Sequence, residues 1–481
     1  MLFNSVEYLL FLPLVFIVYW SLKNHRKAQN FFILISSYFF YGIWDYRFLS
    51  LIFLSSLVDY IIGSQLGKNK SGISRKLFLA SSLLVNLGFL FVFKYLNFFI
   101  ESFSELVALF GFSPNQSSLE IILPVGISFY TFQTLSYTID VYRGKIPPSD
   151  NIIDFFTYVS FFPQLVAGPI ERASNLLPQF KNKRVFSYEM GKSGLRQILW
   201  GLFKKVVIAD NCAIIVDSIF NNNEETGSFF LILGIVLFAF QIYGDFSGYS
   251  DIAIGTAKLL GFNLMQNFAT PYFARDIAEF WRRWHISLST WFRDYLYIPL
   301  GGSRVNQSAA IRNIFIIFLV SGFWHGANWT FIIWGGLHAV YYLPQFIFKT
   351  NRKFLETIAE NRLFPSINEF FQVILTFSLV CLAWTFFRAD NLNHSFAYLG
   401  GIFFNSNSFF SIPVEISYNT YYVIGIGLII MLISEWYNRN NSFGIEVLSK
   451  NIIFRYSYYI ILCLFIIQFF YGENSFIYFQ F

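Results

Sequence analysis

Apolar runs long enough to cross a lipid bilayer recur from one end of this 481-residue chain to the other. A membrane helix takes about 20 mostly apolar residues. Such runs lie near 8–22, 31–44, 47–66, 77–99, 121–139, 197–219, 229–257, 313–348, 370–387, 421–436 and 452–471. The polar remainder is too small for any other class: 13% of residues are charged, about half the share of an ordinary soluble domain. A soluble globule of this length would need far more polar surface, so soluble-enzyme classes are excluded. No low-complexity tract, charged linker or internal repeat divides the runs. The expectation is therefore one polytopic, all-α membrane domain over 1–481, with N-terminal spans in 1–140, a core in 141–350 and C-terminal spans in 351–481. About a dozen helical segments are expected, some of them re-entrant, and 313–348 is long enough for two helices interrupted at HGAN.

Charge placement sets an orientation, because cytoplasmic loops retain Lys and Arg. With residue 1 outside, the loops at 23–30, 67–76, 140–205, 258–312, 349–369 and 437–455 are inside and hold 31 of the chain's 34 lysines and arginines. Glu101, Glu105, Glu120, Glu224, Glu225 and Glu415 fall outside. The net charge of +6 is thus a topology signal, and no basic stripe suggests nucleic acid. The N-terminal run lacks a basic n-region and a small-residue cleavage site, so it reads as the first span rather than a signal peptide. The 64 phenylalanines accompany abundant Ile, Asn, Lys and Tyr, which points to nucleotide bias with Phe at lipid-facing positions. Cys212, Cys381 and Cys463 stand singly in apolar surroundings and read as packing residues.

Two of the inner segments are too apolar for plain loops. In 155–180, Pro163, Gly168, Pro169 and Pro178 break an otherwise buried pattern, and such backbone is tolerated at membrane depth only inside protein or beside a water-filled cavity. In 268–304, aromatics interleave with Arg275, Arg282, Arg283, Arg293 and Arg304, the pattern of an interfacial or dipping amphipathic helix.

Ionisable residues within apolar runs are functional candidates because their burial is expensive. His325, in SGFWHGANW, has apolar sequence on both sides and Gly322 and Gly326 close by. It either packs between helices or serves as a base, for imidazole can be neutral near pH 7 and take a proton from a hydroxyl. No GxSxG nucleophile motif accompanies it. His285, in FWRRWHISLSTW, is either interfacial or part of the same chemistry, and Arg282 and Arg283 beside it suit either a donor's phosphates or lipid headgroups. His338 would lie some 140° round a continuous helix from His325, a structural or supporting position. Asp245 and Asp251, in YGDFSGYSDIAIG, put two acids among small residues that are ordinary helix-packing material. No His/Glu or His/His ligand spacing goes with them, so no metal is expected.

Taken together, LPVGISFYTFQTLSYTIDVYRG (123–144), FFPQLVAGPIER (161–172), YGDFSGYSDIAIG (243–255), FWRRWHISLSTWFRDYLYIPLGG (280–302) and SGFWHGANWTFIIWGGLHA (321–339) resemble the membrane-bound O-acyltransferase family. FNSVEYLLFLPLVF near the start and FIYFQF at the end agree with it too. The resemblance implies a helical bundle around a tunnel or funnel in a bacterial cytoplasmic membrane, where a cytoplasmic acyl donor, acetyl-CoA, meets an extracytoplasmic acceptor. It implies that His325 is the principal catalytic residue and His285 its upstream partner, placed to position a reactant or stabilise an oxyanion; Asp245, Arg282, Arg283 and Trp324 are weaker candidates for the lining. Relatives acetylate alginate or peptidoglycan through partner proteins, and another branch handles D-alanine for teichoic acids. The implied activity is O-acetylation of an exopolysaccharide such as alginate, with no bound cofactor, and with membrane lipid and a separate extracytoplasmic acetyltransferase as partners.

Overall fold

The computed structural model describes residues 1–69, 72–112, 119, 121–166, 168–404, 409–411, 417–470 and 476–477. Glu120, Glu415 and the last four residues of FIYFQF lie outside the described residues. The regular structure described is helical throughout. Among the described residues, six helical stretches are long and apolar enough to cross a membrane: Arg26–Lys68, Gly72–Ala108, Ser228–Leu259, Gln307–His325, Ile367–Arg388 and Tyr418–Tyr437. Val6–Ser21 and Ile452–Gln468 are shorter apolar helices at positions where spans are expected. Large apolar side chains point outward from these elements, with Leu10, Leu84 and Ile453 each more than 70% exposed, as lipid contact requires. The chain forms two compact units.

The first unit is Met1–Gly191 with Thr256–Leu264. Its interior is unusually polar. Asp59, on the Leu49–Lys68 helix, is fully buried. Its Oδ1 accepts hydrogen bonds from Ser82 and, at 2.9 Å, from Thr138, while its Oδ2 accepts one from Asn86 at 2.8 Å. A carboxylate at this depth is tolerable because three donors replace its water. Thr138 belongs to the Ile127–Tyr142 helix, which is buried along almost its whole length. The 121–139 run is therefore a shorter interior helix, and the Ser, Thr and Gln that dilute its hydropathy are the groups that bond inside the unit. The 155–180 segment folds into the short helices Ile152–Ser160, Phe162–Leu165 and Ala173–Lys181, with Phe161, Phe162 and Phe180 fully enclosed. Pro163 and Pro169 are buried in protein, as expected, whereas Pro178 is exposed on the third of these helices.

The second unit is Lys192–Gly255 with Met265–Phe481. Gly201, on the helix Tyr188–Leu202, crosses Gly248, on the helix Ser228–Leu259. A Cβ at either glycine would stand 2.5 or 2.8 Å from the other's carbonyl oxygen, so the small residues of 243–255 do serve close packing. The 313–348 run is a hairpin of two helices, Gln307–His325 and Trp329–Ile347, broken at the HGAN segment as expected. The 268–304 segment departs from the amphipathic-helix expectation. It forms two seven-residue helices, Ile277–Arg283 and Ile286–Phe292, hinged at His285, whose φ of 44° is left-handed. Trp284, His285 and Leu288 are buried rather than interfacial. Leu392–Phe404 is a helix that the apolar runs do not announce.

Candidate active site

The hairpin positions His325 at the last residue of its first helix. Two glycines allow the turn: a Cβ at Gly322 would meet the Phe331 carbonyl oxygen at 2.2 Å, and one at Gly335 would meet that of Phe318 at 2.2 Å. Asn328 then restarts the chain by accepting the Thr330 N–H at 3.0 Å and donating to the Asp390 carbonyl at 2.9 Å. Because the helix ends at His325, the imidazole sits at a buried corner, 2% exposed.

His285 reaches the same corner from the other side of the unit. A non-glycine residue in left-handed backbone persists only when its surroundings fix it. Here the fixing is by main-chain bonds to the preceding strand-like segment: the Ile286 N–H donates to the Asn267 carbonyl at 2.9 Å, and the Ala269 N–H donates to that of Arg283 at 3.0 Å. The His285 ring centroid lies 6.3 Å from that of His325 and 6.0 Å from that of Trp324. Trp324 lies 4.9 Å, Trp334 5.0 Å and Phe387 5.5 Å from His325. Phe246 meets the His285 ring edge-on at 4.6 Å, and the His285 Nδ1 is 3.0 Å from the Asn267 Oδ1. Burial holds the His285 imidazole far below its usual range, at about 3, because desolvation penalises the charged ring. The pair is thus buried from bulk solvent, aromatic-walled and, at His285, neutral.

The remaining candidates take distinct places. His338 supports from behind: its ring packs 5.0 Å from Trp334, which lies against His325, and its Nδ1 accepts the Trp281 indole N–H at 3.3 Å. Arg282 donates to the carbonyls of Asn351 and Phe354, at 2.8 and 2.6 Å. Arg283 pairs with Glu279 at 2.9 Å and donates to the Ala269 carbonyl. The arginines thus tie the 268–304 segment to itself and to the loop beyond the Gln307–Ile347 hairpin. Asp245 turns to Lys205, 2.8 Å away, and accepts the Ile477 N–H at 2.6 Å. Asp251 pairs with Lys204 at 2.6 Å.

Those lysines correct the charge count. Lys204 and Lys205, counted among the loop residues of 140–205, are buried on the π-helical turn Phe203–Ala209. Lys205 bridges Asp245 and Asp210, each 2.8 Å away, and Lys204 also donates to Ser247. Glu435 accepts a 2.8 Å bond from Tyr243 beside them. The signal was available, since the pair in WGLFKKVVIAD is flanked by apolar residues just as Asp245 and Asp251 are. Asn267 carries no comparable signal; its neighbours mark a loop, and its role emerges from the fold alone. A small polar cavity bounded by Trp200, Lys204, Tyr243, Asp251, Asn267 and Glu435 adjoins this network.

The pattern of the family described as "MBOAT, membrane-bound O-acyltransferase family" matches residues 46–383. A "Probable alginate O-acetylase AlgI" of Pseudomonas aeruginosa is 42% identical over 397 residues, 82% of this chain and 73% of that protein. A "Peptidoglycan O-acetyltransferase" of Helicobacter pylori is 36% identical, covering 84% of this chain and 80% of its own length. A "Teichoic acid D-alanyltransferase" of Bacillus subtilis is 26% identical over 58% of this chain and 72% of its own. The span of the family match, the relatives above 30% identity and the apolar helices make the chain a polytopic membrane O-acyltransferase of the membrane-bound O-acyltransferase family.

Proposed function

We propose that the enzyme moves an acetyl group from a cytoplasmic donor, acetyl-CoA, for O-acetylation of an exopolysaccharide such as alginate. Support for the acetyl group and polymer comes from the relatives, several of which are named as alginate O-acetylases. The observation that carries the chemistry is the meeting of His285 and His325 in a buried aromatic corner, with ring centroids 6.3 Å apart. In this reading His325 takes the proton of the attacking hydroxyl as its oxygen adds to the thioester carbonyl. The new C–O bond forms, the C–S bond breaks, and the proton passes from the imidazolium to the leaving thiolate. His285 faces the same space and positions a reactant. The surrounding tryptophans exclude water, which would otherwise compete as the nucleophile. The chain lies in the bacterial cytoplasmic membrane with its N-terminus outside, and a separate extracytoplasmic acetyltransferase completes delivery to the polymer.

Acetyl-ester content of surface polysaccharide and of peptidoglycan tests this in cells carrying the intact protein, the His325→Ala protein or none. The expected result is loss of ester from the surface polysaccharide in both the variant and the null, with variant protein still present in the membrane. Loss confined to peptidoglycan would move the acceptor to that polymer, in line with the Helicobacter pylori relative. Normal ester content in His325→Ala would end the assignment of His325.

A further inference from the structure

The hydrogen-bonding around Asn267 fixes more than the position of His285. An amide side chain can be turned by 180° without changing its outline, so which end faces a neighbour has to be decided by partners whose roles are fixed. Asn267 has one. The main-chain N–H of Ser287 can donate and cannot accept, and it points at the Asn267 Oδ1 at 3.3 Å. The Ser287 hydroxyl adds a second donor to that atom at 2.9 Å. The amide's other end, Nδ2, donates to the Ser250 hydroxyl oxygen at 3.1 Å. The oxygen is therefore the end that lies 3.0 Å from the His285 Nδ1. An oxygen of this kind only accepts, so the ring nitrogen facing it must carry the proton. Asn267 is fully enclosed with His285, and the main-chain bond from Ile286 to its carbonyl ties the two residues into one turn.

We propose that Asn267 is a positioning residue that locks His285 in the Nδ1–H tautomer, so that His285 meets the reacting groups with the lone pair of Nε2. The inference rests on the reading of His285 and His325 as the acyl-transfer pair and narrows what His285 does there. In this tautomer the ring's one N–H is spent on Asn267 and Nε2 can only accept a hydrogen bond, so His285 is not the donor that stabilises an oxyanion. It orients a substrate group bearing a proton, a hydroxyl of the acceptor or an amide N–H of the donor. The arrangement is the one by which a supporting group selects a histidine's tautomer and basicity in metal sites and catalytic triads.

The test is nitrogen-15 NMR of histidine-labelled protein in lipid bilayers, with the His285 signal assigned by its loss in His285→Ala. The expected spectrum has His285 protonated at Nδ1 in the intact protein and shifted toward the Nε2–H form in Asn267→Ala; an intact protein showing the Nε2–H form at His285 would overturn the proposal. Polymer acetylation supplies the second readout. Asn267→Ala should lower it by about 10- to 100-fold, Asn267→Asp should recover part of the loss because it keeps an acceptor oxygen, and Asn267→Ala should cause no further loss in the His285→Ala background. A fully active Asn267→Ala beside an inactive His285→Ala would sink the positioning role alone. A fully active His285→Ala would sink the histidine-pair reading itself, whichever tautomer the spectrum shows.

Discussion

Lys205 illustrates how much a single side chain carries inside a membrane protein. It is 1% exposed and answers two carboxylates, Asp210 and Asp245, at 2.8 Å each. Removing one partner of a buried ion pair leaves an uncompensated charge and typically costs about 3–5 kcal/mol. Lys205→Met is accordingly expected to lower thermal stability in detergent sharply, and adding Asp245→Asn should restore part of it; an unchanged melting temperature in the single variant would contradict the network. His285 gives a pH-dependent counterpart, and it lies outside the six long apolar stretches. Its folded-state value of about 3 sits below the ordinary imidazole value of about 6.5. Between those values the unfolded chain binds a proton that the folded ring refuses, so stability falls as pH drops from about 6.5 toward 3 and is unaffected above that window. The slope has a ceiling of about 1.4 kcal/mol per pH unit. Melting curves from pH 7.5 to 5 should therefore fall more steeply for the intact protein than for His285→Gln, and parallel curves would refute this.

Helix contacts decide where those residues meet. The hairpin depends on glycine pairs that let two backbones touch, and a side chain at Gly322 has nowhere to go, since the Phe331 carbonyl occupies its space. Gly322→Leu should separate the two helices, displace His325 and remove polymer acetylation, whereas Gly336→Ala, whose Cβ would meet its nearest neighbour at 3.7 Å, should leave acetylation near the intact level. Equal acetylation in both variants would mean that the close crossing does not position His325. In the first unit, Asp59→Ala would strand Ser82, Asn86 and Thr138 without their acceptor, each lost bond costing about 1–3 kcal/mol, so the protein should accumulate poorly in the membrane. Much of this level was legible in the chain. The hairpin break at HGAN could be read because its polar and glycine residues interrupt two apolar runs. The division of FWRRWHISLSTW at His285 could not, because left-handed backbone is imposed by Asn267 and Ala269 from another stretch of chain. For a related reason Arg282 looked available for phosphate, while the carbonyls that engage it belong to Asn351 and Phe354, far along the chain; the pairing of Arg283 with Glu279, by contrast, is an i,i+4 helix pair that local spacing does point to.

For the molecule as a whole, the proposed orientation makes accessibility predictions at exposed positions. Cysteine placed at Lys23 or Ser303 should be shielded from a membrane-impermeant maleimide in intact cells, and cysteine at Glu225 should react, in each case in a background lacking Cys463, the exposed native cysteine. The opposite pattern would invert the orientation. Moving Lys204 and Lys205 from the loops to the interior leaves the bias intact, because the inner loops still hold most of the basic residues. The same two lysines also constrain how the protein can be made. A nascent helix carrying Asp245 and Asp251 is a poor candidate to enter lipid alone, and so is the segment carrying Lys204 and Lys205. Matched across the Gly201–Gly248 crossing, the charges neutralise each other. The insertion machinery would then have to keep the earlier segment sheltered until the later one emerges from the ribosome and release the two as a couple, so that this ion-paired core is assembled during biogenesis rather than after it.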